Sequence, residues 1–317
     1  MWRRWDLLIA SSTPPTVAIP ALLARRLRGT PFIFEIRDPW PELPAALSGQ
    51  RNAGRVPRPL LSAIGALVGV ACRQAGAVVA LTEGMARTAL DRGAAPERVI
   101  VLPQGADLAL FGTALPWRPK ALHRDAVLAV YAGAHGRANG LDLLLDAAAH
   151  LPDAGLRIVL VGQGSEKPRL MARAAVEGLP VDFLDPMPKP HLARLMAEAG
   201  IALLCLAPVP EFAEWTAPNK LVEGLAAGRP VVTNVPGRAT RVLAEGGCGI
   251  AVPPGDAPAL ATALARLAAD TPARQAMGRA ARQVAARDFD SRRIAARLVA
   301  VAEVVAGAPR GLAVSPR

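Results

Sequence analysis

Lys220 and Glu223 stand three residues apart in the stretch Thr216 to Val232, T-A-P-N-K-L-V-E-G-L-A-A-G-R-P-V-V. On a helix that spacing puts both side chains on roughly one face. The N-terminus of a helix offers unpaired N–H groups and a partial positive charge, which already suit a phosphate. The Lys220 ammonium adds a full charge there, and the Glu223 carboxylate could accept hydrogen bonds from two ribose hydroxyls. Cation and carboxylate one turn apart fit a nucleoside diphosphate. The bland reading of the same residues is a surface Lys–Glu pair. The flanks supply the scaffold. Ile201 to Leu206 reads as a buried strand, and Pro218 and Asn219 open a short helix with Leu221, Val222, Leu225 and Ala226 as its buried stripe. Gly228 stops that helix and Pro230-Val231-Val232 starts the next strand.

The pattern P-N-K-L-x-E-x-L-A-A-G-x-P-V-V from Pro218 to Val232 resembles the nucleotide-sugar motif of the retaining GT-B glycosyltransferases of family four. It is most similar to the branch that builds bacterial surface polysaccharides on lipid carriers. The resemblance runs over nearly the whole chain and implies an α/β fold of two doubly wound, Rossmann-like domains facing a cleft. It implies transfer of a sugar, with retention, from a nucleoside diphosphate donor to a lipid-linked or saccharide acceptor. A UDP-sugar is the co-substrate it implies, with no metal and no cofactor. On this resemblance Pro218, Asn219, Lys220, Leu221 and Glu223 contact the donor, with Lys220 and Glu223 also in the catalytic set.

Four other stretches carry the resemblance. Glu35-Ile36-Arg37-Asp38-Pro39-Trp40-Pro41-Glu42 follows a strand and matches the R-D-x-W-P-E of the polysaccharide branch. By that match Arg37 stabilises phosphate or sugar charge, and Asp38 orients Arg37 or binds the acceptor hydroxyl; the alternative is a structural Arg–Asp pair with Trp40 as packing. In the turn Tyr131 to Gly140, Gly133 and Gly136 let the backbone approach a ligand. The two basic clamp positions of related families fall on Ala134 and Asn139, so His135 or Arg137 could substitute, or His135 is a turn residue only. Gly162 and Gly164 look like the family's V-G-x-G turn; as a dinucleotide fingerprint the run fails, because Lys167 takes the third glycine's place. Met187 falls where relatives line the base. The first glutamate of the two-glutamate motif would fall on Trp215, so Glu214 takes the sugar hydroxyls or Trp215 stacks on the ring.

These residues need strands ending and helices beginning beside them. Asp6 to Ala10, Val17 to Leu27 and Pro31 to Glu35 read as strand, helix and strand, a unit that implies a parallel sheet. The alternation restarts after Gly112 to Arg124, which reads as a linker. The expected division is 1–115 for a first, acceptor-binding domain and 116–290 for a nucleotide-sugar domain. A helix over 291–306 is expected to pack back on the first domain, with a disordered tail over 307–317. Similar enzymes begin with a strand and Gly-rich turn ahead of anything like Asp6 to Ala10. The first domain is therefore expected to be incomplete: either the true start lies upstream of Met1, or the chain is a shortened protein that binds nucleotide sugar without turnover. An epimerase on the same architecture is a further alternative, disfavoured because the Arg37 loop does not supply paired acid and base groups.

At 317 residues and 52% hydrophobic content the chain can bury two cores. Its net charge of +11 points to an anionic partner, a nucleotide or an anionic membrane surface. The charge divides as +5 over 1–115 and +6 beyond, and aromatics are 4%, so a nucleic-acid face is not expected. Leu22 to Arg28 and the stretch between Arg58 and Arg73 combine basic and apolar residues and could lie in a membrane interface, or be ordinary helices against the sheet. Cys72, Cys205 and Cys248 are odd in number and far apart, and with no leader read at Met1 to Asp6 they fit a cytoplasmic, peripheral protein.

Overall fold

The computed structural model describes residues 5–47, 56–151 and 155–307. It divides into two compact units. The first takes the described residues up to Gln104, together with Glu214–Ala217 and the chain from Arg292; the second takes Gly105–Ala213 and Pro218–Ser291. The expected boundary at 115 therefore moves to 104. The stretch read as a linker belongs to the second unit, because Phe111 and Leu122 are buried in its core. The tail expected beyond Gly307 lies outside the described residues.

The first unit holds four parallel strands in sequence order: β1 (Leu8–Ser11), β2 (Phe32–Ile36), β3 (Ala77–Ala80) and β4 (Val99–Val101). Side chains alternate across a strand, so Phe32, Phe34 and Ile36 face one core and Ile33 faces another. On the first face lie the helices Ala18–Arg28, Arg58–Gln74 and Glu83–Asp91. The helix Arg58–Gln74 puts Val68, Ala71 and Cys72 into that core, which favours the ordinary-helix reading of this segment. Thr82 caps Glu83–Asp91, its hydroxyl accepting from the Met85 N–H at 3.1 Å. The opposite face is covered by the helix Ser291–Ala306 through Ile294, Leu298, Val301 and Val305, one stripe at helical spacing.

The second unit holds six parallel strands: β5 (Val127–Ala132), β6 (Leu156–Val161), β7 (Val181–Leu184), β8 (Ile201–Leu204), β9 (Val231–Thr233) and β10 (Gly249–Ala251), in the order β10-β9-β8-β5-β6-β7. The order reverses between β5 and β8, whose Ala129 pairs with Ile201. A reversal of this kind opens a crevice beyond the carboxyl ends of the two strands, the usual ligand position in a doubly wound sheet.

The helix Asn219–Ala226 is seated on this sheet by Leu221, Val222, Leu225 and Ala226, each 3% exposed or less. Burial of one such large aliphatic side chain contributes about 1.5–3 kcal/mol. Gly224 faces the sheet: a Cβ there would stand 2.7 Å from the Ala202 Cβ, so the helix axis can come this close only without a side chain. Gly228, at φ +67°, ends the helix; its N–H donates to Leu225 O and the Arg229 N–H to Gly224 O, at 2.9 and 3.1 Å. Packing and termination together fix where the first turn of the helix points.

Candidate functional site

Beyond the carboxyl ends of β5, β6 and β7 lies a cavity of about 440 Å³. The β5 turn contributes Gly133, the β6 turn Gly162 and the β7 loop Met187, while the helix Asn219–Ala226 contributes Asn219, Lys220 and Glu223. That helix has no side-chain cap at its N-terminus, so the orphan N–H groups of the first turn are left for solvent or a ligand. The Lys220 side chain is partly buried beside them. Its Nζ donates to Asn139 Oδ1 at 3.4 Å and lies 5.0 Å from the Tyr131 ring centroid. Burial lowers the Lys220 pKa below the ordinary lysine value, opposed in part by the charge of Glu223. Gly133 makes room for the side chain, since a Cβ there would collide with Lys220 Cε.

The bland expectation of a Lys220–Glu223 pair is not met. Glu223 Oε1 accepts from Lys189 Nζ at 2.9 Å, and its side chain is 14% exposed against 67% for Lys189. An ion pair with so exposed a partner is worth little, ~0–1 kcal/mol, so a hydroxyl-bearing ligand can displace it. Lys189 lines the cavity and escaped the sequence reading; it opens the helix Lys189–Glu198 and meets Glu223 only through the fold.

The β6 turn is held by Lys167. Its buried ammonium donates to Gly162 O at 2.9 Å, Leu184 O at 3.1 Å and Asp185 Oδ1 at 2.7 Å, tying the ends of β6 and β7 together. The residue that breaks the dinucleotide fingerprint is thus the staple of the cavity wall. Gly162, at φ +145°, packs so closely on the β5 turn that a Cβ would run into Gly133 O. Gly164 packs on the His135 backbone in the same way.

Several expected ligand contacts are placed elsewhere. His135 is not a clamp: its ring is fully buried, 6.2 Å from Tyr131 and 6.4 Å from Phe183 between centroids, and neither ring nitrogen has a hydrogen-bond partner among the described residues. Burial, then the charge of Lys167, pushes its pKa below 6.5 and keeps it neutral. Arg137 is 70% exposed and reaches Glu166 Oε1 at 3.4 Å instead of the cavity. Gly136 opens the turn Arg137–Asn139, and Asn139 enters through its bond to Lys220. Leu221 is core, and Pro218 is the N-cap of the helix. Glu214 belongs to the first unit, where its carboxylate pairs with Arg87 at 3.1 Å and its carbonyl accepts from Thr82 Oγ1 at 2.7 Å. Arg37 and Asp38 also lie in the first unit, on the loop after β2. Asp38 does not orient Arg37: its Oδ2 accepts from Thr13 Oγ1 at 2.9 Å, and its carbonyl from Ser12 Oγ at 3.0 Å. Arg37 is exposed, and Trp40 packs against the core, as the structural alternative for this loop has it.

The buried His135 generates a pH prediction. A folded pKa below the unfolded value means the unfolded chain binds more protons at mildly acid pH. Stability is complete above the ordinary value of 6.5 and declines as pH falls below it. His135→Phe should flatten the loss of unfolding free energy between about pH 7 and about pH 5, measured by denaturant titration at each pH. Equal pH slopes in the two proteins would contradict the assignment.

Residues 1–105 match the family model described as glycosyl transferase 4-like domain, and residues 126–270 match that of glycosyl transferases group 1. The D-inositol 3-phosphate glycosyltransferase of Kribbella flavida is 33% identical over 60% of this chain and 47% of its own. The GDP-mannose-dependent alpha-(1-6)-phosphatidylinositol dimannoside mannosyltransferase of Mycobacterium tuberculosis is 34% identical over 59% of this chain and 49% of its own. The chain thus spans about half the length of these curated relatives. Among solved structures, Anabaena HepE in complex with UDP superposes with a TM-score of 0.73 at 21% identity, over 93% of this chain and 78% of its own. Two glycosyltransferase family models, matched one after the other, together cover most of the chain, and its fold is similar to that of HepE.

Proposed function

We propose that the second unit binds the nucleoside diphosphate of a sugar donor and that the chain transfers the sugar, with retention, to a lipid-linked or saccharide acceptor in surface-polysaccharide synthesis. The observation that carries this reading is the Lys220 ammonium, partly buried at an uncapped helix N-terminus and bonded to a neutral amide, with Glu223 one turn on. A diphosphate placed there receives the ammonium and the N–H groups, and Glu223 exchanges Lys189 for ribose hydroxyls. Preorganised positive charge at the departing diphosphate is the main catalytic term such a site can supply without metal. In the retaining step the C1–O bond to the diphosphate breaks, the acceptor oxygen bonds to C1 on the same face, and the acceptor proton passes to the leaving phosphate. UDP is the nucleotide assigned, supported by the UDP complex of Anabaena HepE; the mannosyltransferase relative is named for GDP-mannose, so both enter the test. The acceptor is assigned to the first unit, with Arg37 its exposed cation, and the surface-polysaccharide branch rests on the Arg37 to Glu42 motif.

Calorimetry with UDP and GDP tests the site. Charge-assisted bonds contribute about 1.5–3 kcal/mol, so Lys220→Ala should weaken UDP binding roughly ten- to a hundredfold and Glu223→Ala about tenfold. Because the lowered Lys220 pKa makes the ammonium titrate early, affinity should fall as pH rises toward the ordinary lysine value, and Lys220→Met should remove that dependence. Unchanged affinity in both alanine variants defeats the site assignment. Turnover, with the anomeric configuration of the product read by proton NMR, separates transfer from binding alone; an inverted product defeats retention.

The reading includes attachment to an anionic membrane surface at the cytoplasmic face. On the helix Ala18–Arg28, Ile19, Leu23 and Leu27 are 45%, 51% and 74% exposed at i, i+4 and i+8, beside Arg25, Arg26 and Arg28. A basic amphipathic face of this kind lies in a lipid interface, and no helix among the described residues is long and apolar enough to cross a membrane. The protein should co-sediment with phosphatidylglycerol vesicles at low salt, and Leu23→Glu with Leu27→Glu should release it; a parent protein left in the supernatant refutes attachment.

A further inference from the structure

At the other end of the second unit's strands lies a cavity of about 240 Å³ walled by Arg229, Arg274, Arg279 and Arg282. Gly200 immediately precedes β8 and Pro230 precedes β9, and both line it, so it sits at the amino ends of the strands. The nucleotide cavity lies at their carboxyl ends, a strand's length away, on the order of 10 Å.

The cavity is shaped by glycines. Gly278, midway along the helix Thr271–Asp288, packs on the backbone at Gly228, since a Cβ there would strike Gly228 O. Arg274, Gly278 and Arg282 fall on one stripe of that helix, so the close contact at Gly278 sets the two arginines on either side of the Gly228 turn. A Cβ at Gly228 would collide with the Arg282 guanidinium, and one at Gly200 would come to 3.4 Å from Arg274 Nε. Part of the donor set is anchored to backbone: Arg229 Nη1 donates to Ala199 O at 2.9 Å and its Nε to Ala227 O at 3.1 Å; Arg274 Nη1 donates to Ala268 O at 2.9 Å. Each guanidinium has five N–H groups, so these anchors orient it and leave donors over. Among the described residues no carboxylate lines the cavity; Glu198, whose charge acts on Arg229, is bonded to Arg118 Nε at 3.0 Å. Burial, then the charge of Arg282, lowers the Arg229 pKa, as expected where like charges converge.

We propose that this arginine-walled cavity is a second anion site, taking a phosphate-bearing group by bidentate guanidinium contacts. It is separate from the nucleotide cavity and stands whether or not that cavity holds a donor. The phosphate can come from a soluble polyphosphate or from a lipid headgroup.

Inorganic pyrophosphate is titrated by calorimetry into full chain carrying Lys220→Met, which weakens the nucleotide cavity's hold on anions, and into the same chain with Arg279→Ala and Arg282→Ala added. Both arginine side chains are exposed, and a thermal melt confirms that the fold is retained. The added substitutions should weaken binding at least about tenfold, the value of one charge-assisted contact, and lysine at both positions should restore part of it. In a second arm the two chains are sedimented with phosphatidylcholine vesicles with and without phosphatidic acid. An arginine-dependent loss in the pyrophosphate arm alone assigns a soluble ligand, and one in the vesicle arm assigns a headgroup. Equal behaviour of the two chains in both arms overturns the proposal.

Discussion

An ammonium held partly out of water needs a counter-charge, and the second unit withholds one from Lys220. Its hydrogen bond goes to the neutral amide of Asn139, while the carboxylate one turn away is engaged by Lys189. Burial of a cation costs free energy, and burial lowers the Lys220 pKa, offset in part by the charge of Glu223. Strain of this kind is relieved by an anion brought from outside. The uncapped helix start beside it offers the same invitation through backbone N–H groups.

The rest of the unit serves to keep that ammonium where it is. Leu221, Val222 and Leu225 root the helix in the core, and Gly224 lets it lie close on β8. Gly133 clears a channel for the lysine stem, and Lys167 ties the β6 and β7 ends that form the facing wall. The polar and charged residues in this list do different jobs. Lys167 spends its donors on two main-chain oxygens and the Asp185 carboxylate and is structural; Lys220 lines the cavity and donates to the Asn139 amide.

How far the site could be read from the sequence follows from the range of the interactions. The helix Asn219–Ala226 is legible because its apolar stripe and terminal glycine are local, and so are β1, β2, β8 and β9. The burial of His135 is not legible in the sequence, because a histidine in a glycine-rich turn reads as exposed, whereas the β6 turn closes over it through contacts at Gly162 and Gly164. The place of Glu214 is not legible because the chain on either side of Glu214–Ala217 belongs to the second unit, while its partners Arg87 and Thr82 belong to the first. The Lys189–Glu223 pair spans 34 residues, and no periodicity joins them. Pattern rules see spacing along one element, not the side chain that a distant element brings.

The most direct measurement of the central claim is a crystal structure of the chain with UDP. The account predicts the diphosphate within hydrogen-bonding distance of Lys220 Nζ and the first N–H groups of the helix Asn219–Ala226, with the ribose on Glu223 and Lys189 displaced from it. A nucleotide bound elsewhere, with the Lys189–Glu223 pair intact and the helix start bare, would contradict it.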